Sequence, residues 1–498
     1  MLRVAVCAYG LVSSASGPTD GTIEMQDGLT GMQKIDEANE NNWSEARVIL
    51  RRGLLSHEKA AEKHTMHTAI ILRGNGSDMI IEALRRRPWW RIAQGGQGAG
   101  MNGISLWWGG NGQAFDFAGS GISAANRPRQ LVNKFHHNAE ICVKARLALN
   151  LRRYAKAANI DLASILPMTF VVKAGSNDKE SSRELTAFRA QAAEHEDAMW
   201  IVKPSNRNRG FGIEVLATPK AVEGHLKQKK PGSTWVIQRY IKYPLLIGGR
   251  KFDVRQYVLV TPDFRVYMYK DSYVRTSSTS YDATDLEDRS IHLTNDYVQK
   301  HLDTYGAHED ANKLSFSEFQ AVLDKTPLQD GRIMSVENDL WSAMKHCIRH
   351  TFSCAMPHLA GQKSSGCSFE VFGLDFMIDG NGQVVLIEVN TSPALLRHGR
   401  HLTEMLPRLI EEIFQKAVDP VCPPPVASQQ PQQTSRDANE SGPAVGYLDQ
   451  FELVDVPSPP IAGSRIVSER LVGIKRDSNA PTPLLPPIGQ QARATIWR

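Results

Sequence analysis

The chain is poor in the features that would place it quickly. Its six cysteines (Cys7, Cys142, Cys347, Cys354, Cys367, Cys422) show no CxxC spacing. That argues against a zinc site or a disulfide scaffold and fits a reducing cytosol. There is no strong charge bias: 58 Lys and Arg oppose 53 Asp and Glu, a net charge of +5. This permits an acidic partner without demanding one, and it falls short of a nucleic-acid signature. No apolar run approaches the roughly 18 residues of a membrane span. Internal repeats are absent. What remains is an ordinary globular composition, 41% apolar and 22% charged, over 498 residues. By length that makes about three domains with a sizeable core.

Along the chain the texture changes. Residues 1–40 are rich in Gly, Asp and Asn and read as a loose leader. The start, MLRVAVCAYGLVSSASG, has one Arg, a short apolar run and small residues, as a secretory signal has. A disordered leader or a short first strand is the preferred reading. His67–Arg73 looks like a strand, and Asp78 is expected to cap a helix, MIIEALRRR, that stops at Pro88. GGQGAGMNG reads as a loop. Arg127–Tyr154 reads as mostly helical, with a basic stripe of Arg146, Arg152 and Arg153. RRRPWWR reads as a basic helix end rather than a nucleic-acid patch. From Trp200 the chain is strand-rich. Glu337–Ala360, bent at Pro357, and His401–Val418 have helical periodicity. After Asp419 come about half of the 26 prolines, among Ser and Gln, and that stretch reads as a disordered tail.

Four segments carry chemistry. In FEVFGLDFMIDGNGQVVLIEVNTSP, residues 369–393, two apolar runs flank DGNG and read as a β-hairpin. A two- or four-residue loop pairs Ile378 with Gln383 and sets Asp375 opposite Leu386. Gly373, Asp375, Leu386, Glu388 and Asn390 then share one face, and Phe372, Leu374, Phe376, Val385, Ile387 and Val389 the other. A three-residue loop would instead split the two carboxylates onto opposite faces. Two carboxylates and a carboxamide on one face suit Mg²⁺, which keeps waters and takes phosphate oxygens. Ordinary solvated charges on a half-exposed hairpin explain the segment as well.

WIVKPSNRNRGFGIEV, residues 200–215, runs a short strand into Lys203 and then a loop. There Gly210 and Gly212 let backbone N–H groups approach phosphate oxygens. The spacing matches neither a P-loop nor a Rossmann fingerprint, and a plain hairpin turn is the rival reading. In WVIQRYIKYPLLIGGRKFDVRQYVLV, Lys251, Asp253 and Arg255 fall on one strand face, with Phe252 and Val254 on the other. Such a charged face is costly to bury unless the charges serve one another or a ligand; a surface ladder is the alternative. YMYKDSYVRTSSTSYDATDLEDRSIHLTNDYVQK offers Arg275 and His292-Leu293-Thr294-Asn295, as an active-site loop or a solvated one.

Taken in order, these segments resemble the tubulin-tyrosine-ligase-like family, over about residues 200–418 and more weakly back to 131 through VNKFHHNAEICVKARLALNLRRY. The resemblance implies an α+β fold of ATP-grasp type, with a central (166–245) and a C-terminal (246–418) ATP-grasp domain; the flanking residues, which carry little or none of it, read as an N-terminal α/β and helical domain (41–165) and a disordered tail (419–498). The resemblance also implies ATP and Mg²⁺. A carboxylate on a tubulin tail is phosphorylated to an acyl-phosphate, and the amine of a free amino acid then attacks it. By resemblance, Lys203 holds the α/β-phosphates, the loop Arg209–Gly212 covers them, and Gln238, Arg239, Tyr240 and Ile241 grip adenine. Lys251 and Asp253 contact the nucleotide. Arg255 and Arg275 stabilise the γ-phosphate and acyl-phosphate with support from Asn295. Asp375, Glu388 and Asn390 hold the metal. The partners implied are the acidic tubulin tail, a free amino acid and microtubules, with no nucleic acid and no membrane, in the cytoplasm with the cytoskeleton.

VRTSS and HLTNDYVQK lean toward tyrosine as the added amino acid, and that is the favoured expectation. DSYVR and DVRQYVLVT lean toward the glycine-adding members, with a glutamate-adding member or a non-catalytic microtubule-binding relative as further alternatives.

Overall fold

The computed structural model describes residues 66–93, 103–110, 115, 130–360, 368–425 and 449–457, all within one compact unit, residues 1–460. The expected leader 1–40, nearly all of the GGQGAGMNG loop and most of the Pro-rich tail lie outside the described residues.

Three sheets build the fold. The first is parallel: β1 (His67–Ile71), β2 (Trp90–Ala93), β3 (Leu106–Trp108) and β4 (Leu131–Val132), in the order β2-β1-β3-β4. The second is antiparallel: β5 (Thr169–Lys173), β6 (Trp200–Pro204), β7 (Glu214–Leu216) and β8 (Thr234–Arg239), in the order β5-β8-β6-β7. The third is the largest, also antiparallel, and centres on β9 (Arg250–Val260). One edge of β9 is shared by β10 (Val266–Tyr269) and β11 (Tyr273–Ser280), and β12 (Lys313–Ser315) lies outside β11. The other edge takes β13 (Glu370–Ile378), which pairs with β14 (Val384–Thr391). β15 (Phe451–Val454) closes the far side of β10.

The pattern K-x-D-x-R-x-Y-x-L of β9 explains its place, because alternate residues point to opposite faces. Phe252, Val254, Val258 and Val260 enter the main core, with the helices Lys144–Ala158 and Trp341–Leu359. Tyr257 and Leu259 join a second core under the first sheet. There the helix Arg400–Ile413 buries Leu402, Met405, Leu406, Leu409, Ile410 and Ile413, one stripe at helical spacing. Lys251, Asp253 and Arg255 occupy the first half of the strand face that carries Tyr257 and Leu259, and they are buried. A third core, with Phe170, Phe188 and Trp200, underlies the second sheet.

Several expectations are corrected. Asp78 is not the cap of its helix. The helix Ser77–Arg85 starts after Gly76, whose left-handed φ of 76° makes the turn, and Asp78 lies in the first turn, where its charge suits the helix dipole. The described part of Arg127–Tyr154 is mostly helical, through Ala139–Cys142 and the start of Lys144–Ala158, but residues 131–132 form a strand. The stretch after Asp419 is not wholly tail: Phe451–Val454 pairs with β10, and Phe451 and Val454 are buried. Pro and Ser content hid this strand because only four residues carry it. The basic helix end is satisfied internally: Arg87 is buried, with Glu411 Oε1 and Asp419 Oδ2 each 2.7 Å away. Pro357 falls inside the last turn of Trp341–Leu359.

Candidate active site

Register places the charges in rows across the third sheet. Asp253 pairs with Arg275, Arg255 with Asp375, Asp375 with Glu388, and Gly373 with Asn390. Arg255 grips Asp375 through Nε at 2.5 Å and a terminal nitrogen at 3.1 Å. Arg275 bridges Asp253 at 2.6 Å and Asp375 at 2.9 Å. Thr294 also donates to Asp253. The Asn390 amide reaches Asp375 at 3.2 Å and Glu388 at 3.1 Å. Gly373 is needed here, since a Cβ would fall 3.3 Å from the Arg255 side chain and 2.7 Å from Pro393.

The hairpin register differs from expectation. Ile378 pairs with Val384, not Gln383, and Asp375 faces Glu388, not Leu386. The loop is Gly380–Gly382, closed by Asp379 N–H to Gln383 O at 3.0 Å, with Gly382 at φ 86°. This three-residue loop would by itself send Glu388 to the opposite face from Asp375. A bulge at Ile387 adds one residue and turns the alternation back. As a result Leu386 is fully buried in the core, whereas Ile387 lines the cleft.

The cleft lies between this face and the strands β6 and β8, about 760 Å³ partly open to solvent. Of the expected residues, Lys203, Gly210, Gln238, Arg239, Tyr240, Ile241, Lys251, Asp253, Arg275, Asn295, Asp375 and Glu388 line it. Arg255 and Asn390 stand behind the lining, holding Asp375. Arg209 and Gly212 are exposed in the loop and lie outside it, although both keep the positive φ (57° and 70°) that shapes the turn. Lys203 Nζ donates to Gln238 at 2.7 Å, and Gln238 to Thr169 at 2.9 Å.

Lys144 was missed from the sequence. It opens the helix Lys144–Ala158, its Nζ 3.0 Å from Glu388 Oε2 and 2.9 Å from the carbonyl oxygen of Arg207 in the glycine loop. A cation in a first helical turn opposes the helix dipole, and that was the available signal. The stripe Arg146, Arg152 and Arg153 drew attention instead. Arg146 pairs with Glu140 at 2.7 Å and Arg152 with Glu184 at 2.6 Å, which leaves Arg153 exposed.

Burial and charge together set the protonation states. Burial pushes Lys203 down to about 8 and Lys251 to about 7, although Glu388 and Asp253 respectively pull them up. Burial would raise Glu388, but Lys144, Asn390 and Lys203 outweigh it and hold the carboxyl far below its ordinary range. Asp253 is raised by burial against the pull of Arg275.

Among the described residues no three His, Cys, Asp or Glu side chains are set to enclose a metal. Asp375 and Glu388 fit a different kind of ion. They are adjacent hard-oxygen donors beside a basic cleft, suited to Mg²⁺ that takes its remaining ligands from phosphate and water.

Comparison with known proteins is decisive at this point. The sequence pattern of the Tubulin-tyrosine ligase family matches residues 122–430. The chain belongs to this family. Family members resembling it include "Tubulin glycylase 3B" of Tetrahymena thermophila, 30% identical over 247 residues, covering 49% of this chain and 19% of that protein. "Probable alpha-tubulin polyglutamylase Ttll1" of the same organism is 28% identical over 312 residues, 57% of this chain and 71% of that protein. Human "Tubulin monoglycylase TTLL3" is 36% identical over 213 residues, 40% of this chain and 26% of that protein. The chain thus spans about a fifth to a quarter of the length of these two glycylases. Its mixed α/β architecture accords with membership, and no helix among the described residues is long and apolar enough to cross a membrane.

Proposed function

We propose that this protein is an ATP-dependent acid–amino-acid ligase that adds glycine or glutamate to the glutamate-rich C-terminal tail of tubulin, in association with the cytoskeleton. One observation carries the reading. A buried carboxylate, Asp375, and a half-buried one, Glu388, share a single cleft with Lys144, Lys203, Lys251 and Arg275 beneath a glycine loop, in a member of this family. Tyrosine, favoured from VRTSS and HLTNDYVQK, gives way to glycine or glutamate because the relatives named above are glycylases and a polyglutamylase.

The chemistry is largely positioning and charge neutralisation. Lys203 and Lys251 hold the nucleotide, and Lys144 links the glycine loop to Glu388. Arg275, anchored between Asp253 and Asp375, faces the oxygens of the transferring phosphoryl group. Asp375 and Glu388 would hold Mg²⁺, which when bound would neutralise phosphate charge. A glutamate oxygen of the tail attacks the γ-phosphorus and ADP leaves. The amine of the incoming amino acid then attacks the acyl carbon, phosphate departs, and the amine gives up a proton.

Tubulin incubated with the protein, Mg-ATP and a mixture of isotopically distinct Gly, Glu and Tyr tests this by mass spectrometry of the tails. Gly or Glu increments are expected. Tyr alone would restore the earlier expectation, and no increment on any tail would remove the ligase reading.

A further inference from the structure

One buried hydrogen-bond chain leads away from Lys251, and its other members, Tyr240 and His292, have no part in the mechanism above. Lys251 Nζ donates to the Tyr240 hydroxyl at 2.9 Å, and that hydroxyl lies 2.7 Å from His292 Nδ1. His292 Nε2 lies 2.6 Å from the carbonyl oxygen of Asp285. A neutral His292 ring sets the directions. A carbonyl only accepts, so Nε2 carries the proton; Nδ1 of the neutral ring then accepts, and the tyrosine hydroxyl donates to it. The hydroxyl oxygen is left free to receive Lys251. Burial lowers the His292 pKa, which keeps the ring in this neutral form.

The two ends of the chain are what distinguish it from a satisfied core pair. At one end the Lys251 ammonium stands in the cleft, over the face of Tyr240 at 4.3 Å. At the other, His292 ends the short helix Arg289–His292, and Arg289 donates to the carbonyl oxygen of Gly210 in the glycine loop. Gly210 sits tightly there: a Cβ would come within 3.2 Å of Leu293 and 3.4 Å of Asn295. The groups facing Lys251 are Lys203, Asp253, Tyr240, Tyr281 and His292; those facing His292 are Lys251, Tyr240, Tyr281, Asp285 and Asp288.

We infer that Tyr240 and His292 are positioning residues that aim the Lys251 ammonium at the nucleotide and couple it, through the helix Arg289–His292, to the seating of the glycine loop. The inference rests on the nucleotide reading of the cleft.

It is tested on the full chain with Tyr240→Phe, His292→Leu and His292→Asn, the last keeping an acceptor oxygen near the place of Nδ1. Tyr240→Phe and His292→Leu are expected to raise the dissociation constant of a fluorescent ATP analogue and the ATP KM by about five- to twentyfold, the loss appearing in KM rather than kcat. In Tyr240→Phe the pH at which affinity declines moves down by about half a unit to one unit, because Lys251 loses an acceptor. His292→Asn recovers most of what His292→Leu loses. Nitrogen-15 spectra of the wild type, with His292 assigned by its loss in His292→Asn, show the Nε2–H tautomer. An Nδ1–H tautomer, or folded Tyr240→Phe with wild-type KM and pH profile, overturns the inference. A wild type that binds no ATP overturns the reading of the cleft instead, and the tautomer still reports on the hydrogen-bond chain itself.

Discussion

Glu388 shows how much one side chain carries. It faces Asp375 across the hairpin, pairs with Lys144 and accepts from Asn390. Glu388→Gln keeps the shape and the Asn390 contact but removes the charge. Ligation is expected to fall by at least a hundredfold with the fold intact, and stability by only about 1 kcal/mol, because the half-buried Lys144 loses its counter-charge but keeps the Arg207 carbonyl. Turnover and a thermal melt of the same sample check both parts. Wild-type turnover would mean that this hairpin does not serve the reaction.

At the scale of elements, two short features decide the geometry. The bulge at Ile387 brings Glu388 back to the face of Asp375 after a three-residue loop had turned it away. The strand β15, lying beyond the family match at 122–430, closes one edge of the third sheet. Phe451 packs on Tyr269 at 4.9 Å, and Glu452 accepts from Trp341 Nε1 at 2.9 Å. Phe451→Ala is therefore expected to cost about 3 kcal/mol, the usual range for a buried aromatic truncation. An unchanged unfolding midpoint would show that the strand is dispensable.

Over the whole molecule, the cleft's charge balance sets a pH dependence. Free Lys251 and Lys203 titrate at about 7 and about 8. Phosphates favour their charged forms, so nucleotide binding takes up protons. Affinity should fall by up to about tenfold per pH unit above pH 7 and more steeply above pH 8. Titration calorimetry in buffers of different ionisation heat would reveal the proton uptake, and a flat profile to pH 9 would refute it. The sign for folding is opposite. The lysines' ordinary value is 10.5, so the unfolded chain binds more protons between about pH 7 and 10, and the nucleotide-free protein gains stability as pH rises through that window.

Much of this could be read from residue order. The alternation in β9 put Lys251, Asp253 and Arg255 on one face, and the apolar stripe of Arg400–Ile413 and the Lys203 strand were visible as patterns. Alternation and helical spacing are local, so a single sequence determines them. What only the tertiary structure decided are the non-local choices: the bulge that restores Glu388, the return of Phe451–Val454 to the sheet, Lys144 meeting Glu388, and the exclusion of Arg209 from the cleft. Each depends on which distant surfaces compete for the same backbone edge or buried charge. That competition is settled by packing and desolvation over the assembled fold, and no neighbouring residues encode its result.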